Sequence, residues 1–222
     1  MQNPFREAEF LLGATRLDQL PEDTGAELAF AGRSNAGKSS ALNTLCGRRA
    51  LARVSRTPGR TQEINVFRLP LDGRRRLIDL PGYGYAKVTP RQREHWNRLI
   101  GRYLRERESL AGLVLIMDVR HPLTPLDDNL LQWLGPQPRR LHVVLTKADK
   151  LSRSEAQRQL YATRKGLEDR GLDATLQTFS ALKREGVEDL QALLLDWLEE
   201  ADPETDVSAQ DGGQKDAPAT GG

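Results

Sequence analysis

The segment Gly32-Arg-Ser-Asn-Ala-Gly-Lys-Ser39 decides the fold of this 222-residue chain. It matches G-x-x-x-x-G-K-[ST] and stands between a predicted strand at 27–31 and a run suited to a helix at 40–45. Its glycines let the backbone curl so that successive N–H groups point at phosphates, and the N-terminus of the following helix adds a favourable dipole. Lys38 supplies a positive charge for the β- and γ-phosphates, and Ser39 is the expected Mg²⁺ ligand. The segment therefore predicts a phosphate-binding loop for a nucleoside triphosphate.

Short apolar runs alternate with amphipathic stretches on both sides of this loop. Strands are predicted at 27–31, 64–69, 76–80, 113–119, 142–146 and 176–180. After Thr89 and Pro90, which suit the start of a helix, apolar residues repeat at helical spacing, and residues 187–198 do the same. Strands followed by helices predict an α/β fold with a mostly parallel six-stranded sheet and helices on both faces. Ligands of such sheets bind at the carboxyl ends of the strands.

The chain divides into three predicted parts. Residues 1–25 form an N-terminal extension with a short apolar cluster at Phe10, and residues 26–200 form one domain. Residues 201–222 contain five acids, one lysine and a single large apolar residue, Val207, so this segment is predicted to be a disordered acidic tail.

Composition excludes several classes of protein. The chain is 38% hydrophobic and 29% charged, and its only cysteine, Cys46, excludes disulfide scaffolds and zinc ribbons, so we expect Cys46 to be buried. No apolar run approaches the roughly 20 residues of a transmembrane helix. The N-terminus reaches Glu7 and Glu9 before a secretory signal can form. We therefore expect a cytoplasmic protein without membrane contact.

Two more segments are predicted to complete the phosphate end of the site. In Asp79-Leu-Pro-Gly82, the acid can reach magnesium through water, and the glycine N–H can meet the γ-phosphate. The segment 57–62 contains Thr61, which is expected to close the magnesium shell when the γ-phosphate is present. We assign Lys38, Thr61 and Gly82 to catalysis, and Ser39 and Thr61 to the metal.

The base is predicted from Thr146-Lys-Ala-Asp149. Guanine presents two adjacent donors, N1–H and N2–H₂, which one carboxylate accepts together, and adenine lacks that pair. In isolation the segment also suits a solvated turn, and the later Ser180-Ala-Leu-Lys183, which offers a backbone N–H to the guanine carbonyl, is a weak pattern alone. The residues predicted to contact nucleotide are Gly32, Arg33, Ser34, Asn35, Ala36, Gly37, Lys38, Ser39, Ser40, Gly59, Arg60, Thr61, Gln62, Glu63, Asp79, Leu80, Pro81, Gly82, Thr146, Lys147, Ala148, Asp149, Phe179, Ser180 and Ala181.

These motifs in this order predict a three-layer P-loop GTPase domain. Together with Gly82-Tyr-Gly-Tyr-Ala-Lys-Val88 and Asp118-Val-Arg-His-Pro-Leu-Thr-Pro-Leu-Asp127, they resemble the EngB (YihA/YsxC) family in the TrmE-Era-EngA-EngB-septin-like GTPase group. The resemblance implies a monomeric bacterial GTPase that acts in assembly of the large ribosomal subunit and is linked to normal cell division and septation. It also implies K⁺ at Asn35, for which a turn-shaping role is the open alternative.

Hydrolysis is expected to be slow, because Tyr83 follows Asp79-x-x-Gly82 where Ras-like enzymes carry the glutamine that orients water. Tyr83 stands between Gly82 and Gly84, and Tyr85 follows Gly84; both are predicted to be exposed recognition contacts. The three histidines, His95, His121 and His142, are predicted to be structural or surface residues rather than bases.

Three functions are compatible with these motifs. The first is a switch that binds a ribosomal precursor in the GTP state; the second is a P-loop enzyme, such as a nucleoside kinase, for which no acceptor-binding insert is recognisable. The third is a divisome-associated GTP-binding regulator with protein partners only. Arginine-rich segments favour an RNA partner. They contain Arg48, Arg49, Arg53, Arg56 and Arg60 before and within the first loop, and Arg91, Arg93, Arg98, Arg102 and Arg105 after the second.

Overall fold

The computed structural model describes residues 3–48, 51, 63–71, 73–84, 89–134 and 140–201. Within them the strands are β1 Glu9–Ala14, β2 Ala26–Gly32, β3 Ile64–Arg68, β4 Arg75–Asp79, β5 Leu110–Asp118, β6 Arg140–Thr146 and β7 Thr175–Thr178. The helices are α1 Lys38–Leu45, α2 Pro90–Glu106, α3 Pro125–Trp133, α4 Arg153–Glu168 and α5 Val187–Ala201.

One sheet, in the order β1-β3-β4-β2-β5-β6-β7, unites these strands. The pairs from β4 through β2, β5 and β6 to β7 are parallel, while β1 and β4 pair antiparallel with β3. The predicted α/β fold with a mostly parallel sheet is confirmed, but the described residues form seven strands rather than six.

The additional strand is β1, which the predicted extension contributes to the sheet edge. Its pairing with β3 is interrupted by an irregularity between Phe10 and Leu12, and Phe10 is 59% exposed, with its ring edge-on to Phe67 at 5.8 Å. An edge strand that buries so little of its surface lacks the alternation that identifies a half-buried strand. For this reason the sequence pattern indicated only a small apolar cluster here.

Helices cover both faces of the sheet and make the fold three-layered. On one face, the buried residues of α2 and α3 pack with Leu167 of α4; on the other, those of α1 and α5 pack together. The α2 helix begins as predicted: the Thr89 hydroxyl accepts from the Gln92 N–H at 3.3 Å, and the Gln92 side chain accepts from the Thr89 N–H at 3.0 Å. This reciprocal pair satisfies N–H groups that have no partner within the helix.

A buried ionic network ties the amino ends of β2 and β4 to the end of α2, opposite the predicted site. Glu27 is fully buried and accepts hydrogen bonds from Arg76 at 3.1 Å, Arg107 at 2.7 Å and the Tyr103 hydroxyl at 2.8 Å. Removing one partner of such a group leaves a buried charge uncompensated, which typically costs about 3–5 kcal/mol. The network therefore fixes the amino ends of β2 and β4 against the end of α2.

Several predictions concern residues elsewhere in the chain. Cys46 is buried as predicted, and burial raises the pKa of its thiol to about 12. No helix in the described ranges is long and apolar enough to cross a bilayer. Of the predicted tail, only Ala201 is described, as the last residue of α5; Tyr85 and residues 57–62 also lie outside the described ranges.

Candidate functional site

The phosphate loop connects the end of β2 to the start of α1 at the carboxyl edge of the sheet. Two of its residues have left-handed backbone, Asn35 with φ 65° and Gly37 with φ 104°. A Cβ at Gly37 would lie 3.2 Å from the Thr146 hydroxyl oxygen. That hydroxyl donates to the carbonyl of Ala36 and lies 3.0 Å from that of Met117. The end of β6 therefore holds the loop from the side, and both this tight contact and the positive φ of Gly37 disfavour a side chain at residue 37.

Lys38 and Asp79 meet at the base of this loop. The Lys38 ammonium contacts Asp79 Oδ1, and both residues are buried. Lys38 is the first residue of α1 and Asp79 the last of β4, so the pair joins the phosphate loop to the strand that precedes Gly82. Removing Asp79 would leave a buried ammonium without its carboxylate, which is strongly unfavourable.

The oxygen donors next to Lys38 are of the kind that binds magnesium. The hydroxyl of Ser39, which follows Lys38 in α1, and the carboxylate of Asp79 are the hard oxygen donors that Mg²⁺ prefers. Magnesium usually takes only one or two protein ligands and completes its octahedron with phosphate oxygens and water.

The segment after β4 lies directly against the phosphate loop. Ser34 N–H donates to the Tyr83 carbonyl at 2.9 Å, and Tyr83 N–H donates to the Gly32 carbonyl at 3.4 Å. A Cβ at Gly82 would approach the Ser34 hydroxyl to 3.3 Å. Gly82 is thus held beside the loop that is predicted to carry the phosphates, and its lack of a side chain permits that approach.

Tyr83 is not the exposed contact that its glycine neighbours suggested, and that prediction was wrong. Its side chain is only 6% exposed, and its hydroxyl donates to Asp127 Oδ1 at 2.7 Å. Burial and the neighbouring carboxylate raise the pKa of Tyr83 far above its usual value, so the phenol remains a donor. The ring packs with the core beneath α3, a long-range contact that a local Gly-Tyr-Gly pattern does not reveal.

A cavity of about 220 Å³ lies between the phosphate loop and the carboxyl ends of β6 and β7. Asp149 Oδ1 accepts from the Ser180 hydroxyl at 2.8 Å, and Ala148 N–H donates to the Phe179 carbonyl at 3.1 Å. The Ser180 bond holds the pKa of Asp149 below its usual value, so the residue is a carboxylate at neutral pH. The lining residues are Gly37, Ser40, Ala41, Thr146, Lys147, Asp149, Lys150, Phe179, Ala181 and Leu182.

Lys147 connects this cavity to the phosphate loop. Its backbone is left-handed, with φ 60°, and its ammonium donates to the Asn35 carbonyl at 2.7 Å. The same ammonium lies 3.0 Å from Asp118 Oδ2 at the end of β5. Partial burial opposes ionisation of Asp118, yet bonds from Arg120 and Lys147 hold its pKa well below the usual value.

Asp118 is the member of this group that the sequence reasoning did not assign to the site. The sequence does contain a feature that could have identified it: Asp118 is a carboxylate at the carboxyl end of a buried strand, β5. That strand pairs with β2, which leads into the phosphate loop. Without the fold, nothing linked it to Lys147, which lies 29 residues later.

The structure brings four predicted groups to one edge of the sheet: residues 32–40, 79–82, 146–149 and 179–181. Gly59, Arg60, Thr61 and Gln62 lie outside the described residues. The carboxylate of Glu63 lies against Gly13 of β1, where β1 and β3 pair antiparallel at the edge of the sheet. His95 and His121 are exposed, whereas His142 is buried in β6 between Thr175 and Gln177.

The chain is similar to known GTP-binding proteins. The family model described as 50S ribosome-binding GTPase matches residues 27–147. A probable GTP-binding protein EngB of Nitrosomonas europaea is 53% identical over 195 residues, which cover 88% of this chain and 87% of that protein. A crystal structure of a probable EngB matches 79% of this chain and 100% of its own, with a TM-score of 0.63 at 21% identity. Era bound to MgGDPNP and a 16S ribosomal RNA fragment matches 78% of this chain and 56% of its own, with a TM-score of 0.61 at 23% identity.

Proposed function

The chain belongs to the EngB family of GTP-binding proteins, and we propose that it is a GTP-controlled switch acting in assembly of the large ribosomal subunit in the cytoplasm. The observation that carries this proposal is the contact between the phosphate loop and the segment after β4. Because Tyr83 is bonded through its main chain to Gly32 and Ser34, the state of the phosphates can be transmitted along that segment. The segment continues, through residues 85–88, to the arginine-rich α2.

Recognition of GTP is assigned to two ends of one site. Asp149, fixed by Ser180, accepts the two donors of guanine, and Lys147 lies along the base while holding the phosphate loop. Lys38 exchanges Asp79 for the phosphates when nucleotide binds, which frees the Asp79 carboxylate for the water shell of the metal. Ser39 and Thr61 are the proposed protein ligands, and the magnesium ion neutralises phosphate charge when bound.

Hydrolysis is proposed to be slow because the residue after Gly82 cannot orient water from its buried position. The Tyr83 hydroxyl donates its hydrogen bond to Asp127, and the phenol keeps its proton. Tyr83 therefore cannot act as a base, and it cannot orient the attacking water as a glutamine side chain does. Potassium held at Asn35 is the proposed source of additional positive charge beside the phosphates. Asn35 is exposed and its left-handed backbone turns its carbonyl to Lys147.

The proposed partner surface is the exposed face of α2. Arg91, Arg93 and Arg98 are exposed there, and of these Arg98 lies 3.7 Å from Glu94, a loose pair at the surface. Arg102 is already paired with Glu106 at 2.8 Å. Of the first group of arginines, Arg48 donates to the Ala8 carbonyl at 2.7 Å, and the other four lie outside the described residues. RNA contact is therefore proposed from the exposed arginines of α2 and from the family's description as ribosome-binding.

Sedimentation of purified large subunits or their precursors with the protein tests this function. We expect retention with a non-hydrolysable GTP analogue and release with GDP. Arg91→Ser/Arg93→Ser/Arg98→Ser should lower the salt dependence of binding by about 0.7–0.9 in log–log slope for each phosphate that the variant no longer neutralises, without changing GTP affinity. The matched control is Arg153→Ser/Arg158→Ser/Arg164→Ser, which removes the same charge from exposed positions on α4. Equal retention in GDP and GTP would refute the switch, and failure to sediment with either ribosomal particle in any nucleotide state would favour the protein-only alternative.

A further inference from the structure

The two segments that carry the resemblance to the EngB family most specifically meet in space around one buried carboxylate. Asp127, in the first turn of α3, is fully buried. Its Oδ1 accepts from the Tyr83 hydroxyl at 2.7 Å and lies 3.4 Å from Arg33 Nε of the phosphate loop. Its Oδ2 accepts from the N–H and hydroxyl of Thr124, both at 2.8 Å. This carboxylate therefore joins the phosphate loop, the segment after β4 and α3.

Arg33 makes a second contact to the same region. Its terminal nitrogen donates to the His121 carbonyl at 3.0 Å. Its Nε is buried, makes no hydrogen bond to any described residue, and faces Asp127 Oδ1 at an ion-pair distance of 3.4 Å. The guanidinium thus compensates the buried charge of Asp127 and remains attached to the loop between β5 and α3. A carboxylate at this depth is stable only with such partners.

We infer that Tyr83 is a positioning residue, whose phenol, anchored on Asp127 and Arg33, sets the Gly82 N–H for the γ-phosphate. The main chain of Tyr83 is hydrogen-bonded to Gly32 and Ser34, so the residue is held through both its ring and its backbone. Gly82 is the adjacent residue and cannot shift without moving that main chain. This inference rests on the proposed role of Gly82 in reading the γ-phosphate.

This role of Tyr83 should affect the affinity for GTP but not the affinity for GDP. A loosened Tyr83 displaces only the group that contacts the γ-phosphate, while Lys147 and Asp149 keep their own partners. GTP affinity and hydrolysis should therefore fall while GDP affinity stays unchanged. A side chain that only filled the core would affect both nucleotides, through stability alone.

Tyr83→Phe tests this, because it keeps the ring and removes only the hydroxyl. We expect the preference for a non-hydrolysable GTP analogue over GDP to fall about tenfold, the factor for one hydrogen bond to a buried carboxylate, together with a slower single-turnover rate. Tyr161→Phe is the matched control: its hydroxyl is on α4, the residue is 71% exposed, and none of these quantities should change.

A double-mutant cycle with Asp127→Asn distinguishes anchoring from general destabilisation. If both substitutions break the same link, the double variant should lose little more GTP preference than Tyr83→Phe alone. An unchanged GTP-to-GDP ratio in Tyr83→Phe would overturn the inference, as would a fall in unfolding stability with equal loss of both nucleotides. Failure of the wild-type protein to bind either nucleotide would instead refute the proposed function.

Discussion

Replacing Asp149 with asparagine should exchange the base preference of the site from guanine to xanthine. The carboxylate is held by the Ser180 hydroxyl at 2.8 Å and lines the cavity beside Lys147. In the proposed function it accepts both N1–H and N2–H₂ of guanine. Asparagine keeps one acceptor oxygen and presents an amide donor in place of the other. Xanthine has a carbonyl where guanine has its amino group, so the amide then meets an acceptor.

The size of the effect follows from the bonds exchanged. Each hydrogen bond to a charged group contributes about 1.5–3 kcal/mol, and Asp149→Asn removes one and sets two donors against each other. A total loss of about 2–4 kcal/mol corresponds to GTP binding roughly 30- to 1000-fold more weakly. Inosine triphosphate, which lacks the amino group, should lose about 1.5–3 kcal/mol on the wild-type protein and so measures one of the two bonds separately.

Displacement of a fluorescent GDP by GTP, inosine triphosphate and xanthosine triphosphate measures all these affinities. Asp189→Asn, the same change at an exposed position on α5, is the matched control and should leave them unaltered. Wild-type GTP affinity in Asp149→Asn would refute the assignment of Asp149. Weaker GTP without any gain for xanthosine triphosphate would show that the residue acts on the shape of the cavity and not on the base.

Three further predictions concern the phosphates, the cation and the core. Lys38→Ala and Ser39→Ala should strongly weaken magnesium-dependent triphosphate binding while the circular dichroism spectrum remains that of the folded protein. Potassium should accelerate single-turnover hydrolysis relative to sodium, and Asn35→Ala should abolish the difference; equal rates in matched KCl and NaCl would leave Asn35 as a loop-shaping residue. His142, buried at Thr175, should make folding less stable in acid, because burial lowers its pKa to about 4 despite the bond to Gln177. The unfolded chain binds this proton near pH 6.5, so His142 should contribute a loss of about 3 kcal/mol between pH 6.5 and 4, and His142→Gln should flatten that part of the curve in urea unfolding.

The local motifs could be predicted because each combines spacing with chemistry inside a few consecutive residues. Residues 32–39 specify a loop by their glycines, and Thr89 with Gln92 specifies the start of α2, whatever packs around them. The edge strand β1 was missed because pairing with β3, rather than burial of alternate side chains, makes it a strand. The position of Tyr83 was missed for a related reason, since its partner Asp127 is 44 residues away along the chain.

Contacts between residues that are far apart in the sequence also hold the phosphate loop in place. Its neighbours grip the loop through main-chain atoms: Lys147 bonds to the carbonyl of Asn35, Thr146 to that of Ala36, and Tyr83 to that of Gly32. Contacts of this kind fix the path of the backbone without using the side chains at those positions. The Asn35 side chain is thereby left at the surface, where a cation beside the phosphates would need it. Arg33 is different, because its guanidinium faces Asp127 and donates to the carbonyl of His121. Substitution of Arg33 should therefore disturb Tyr83 and the adjacent Gly82, which is proposed to contact the γ-phosphate, and weaken the binding of a GTP analogue more than that of GDP.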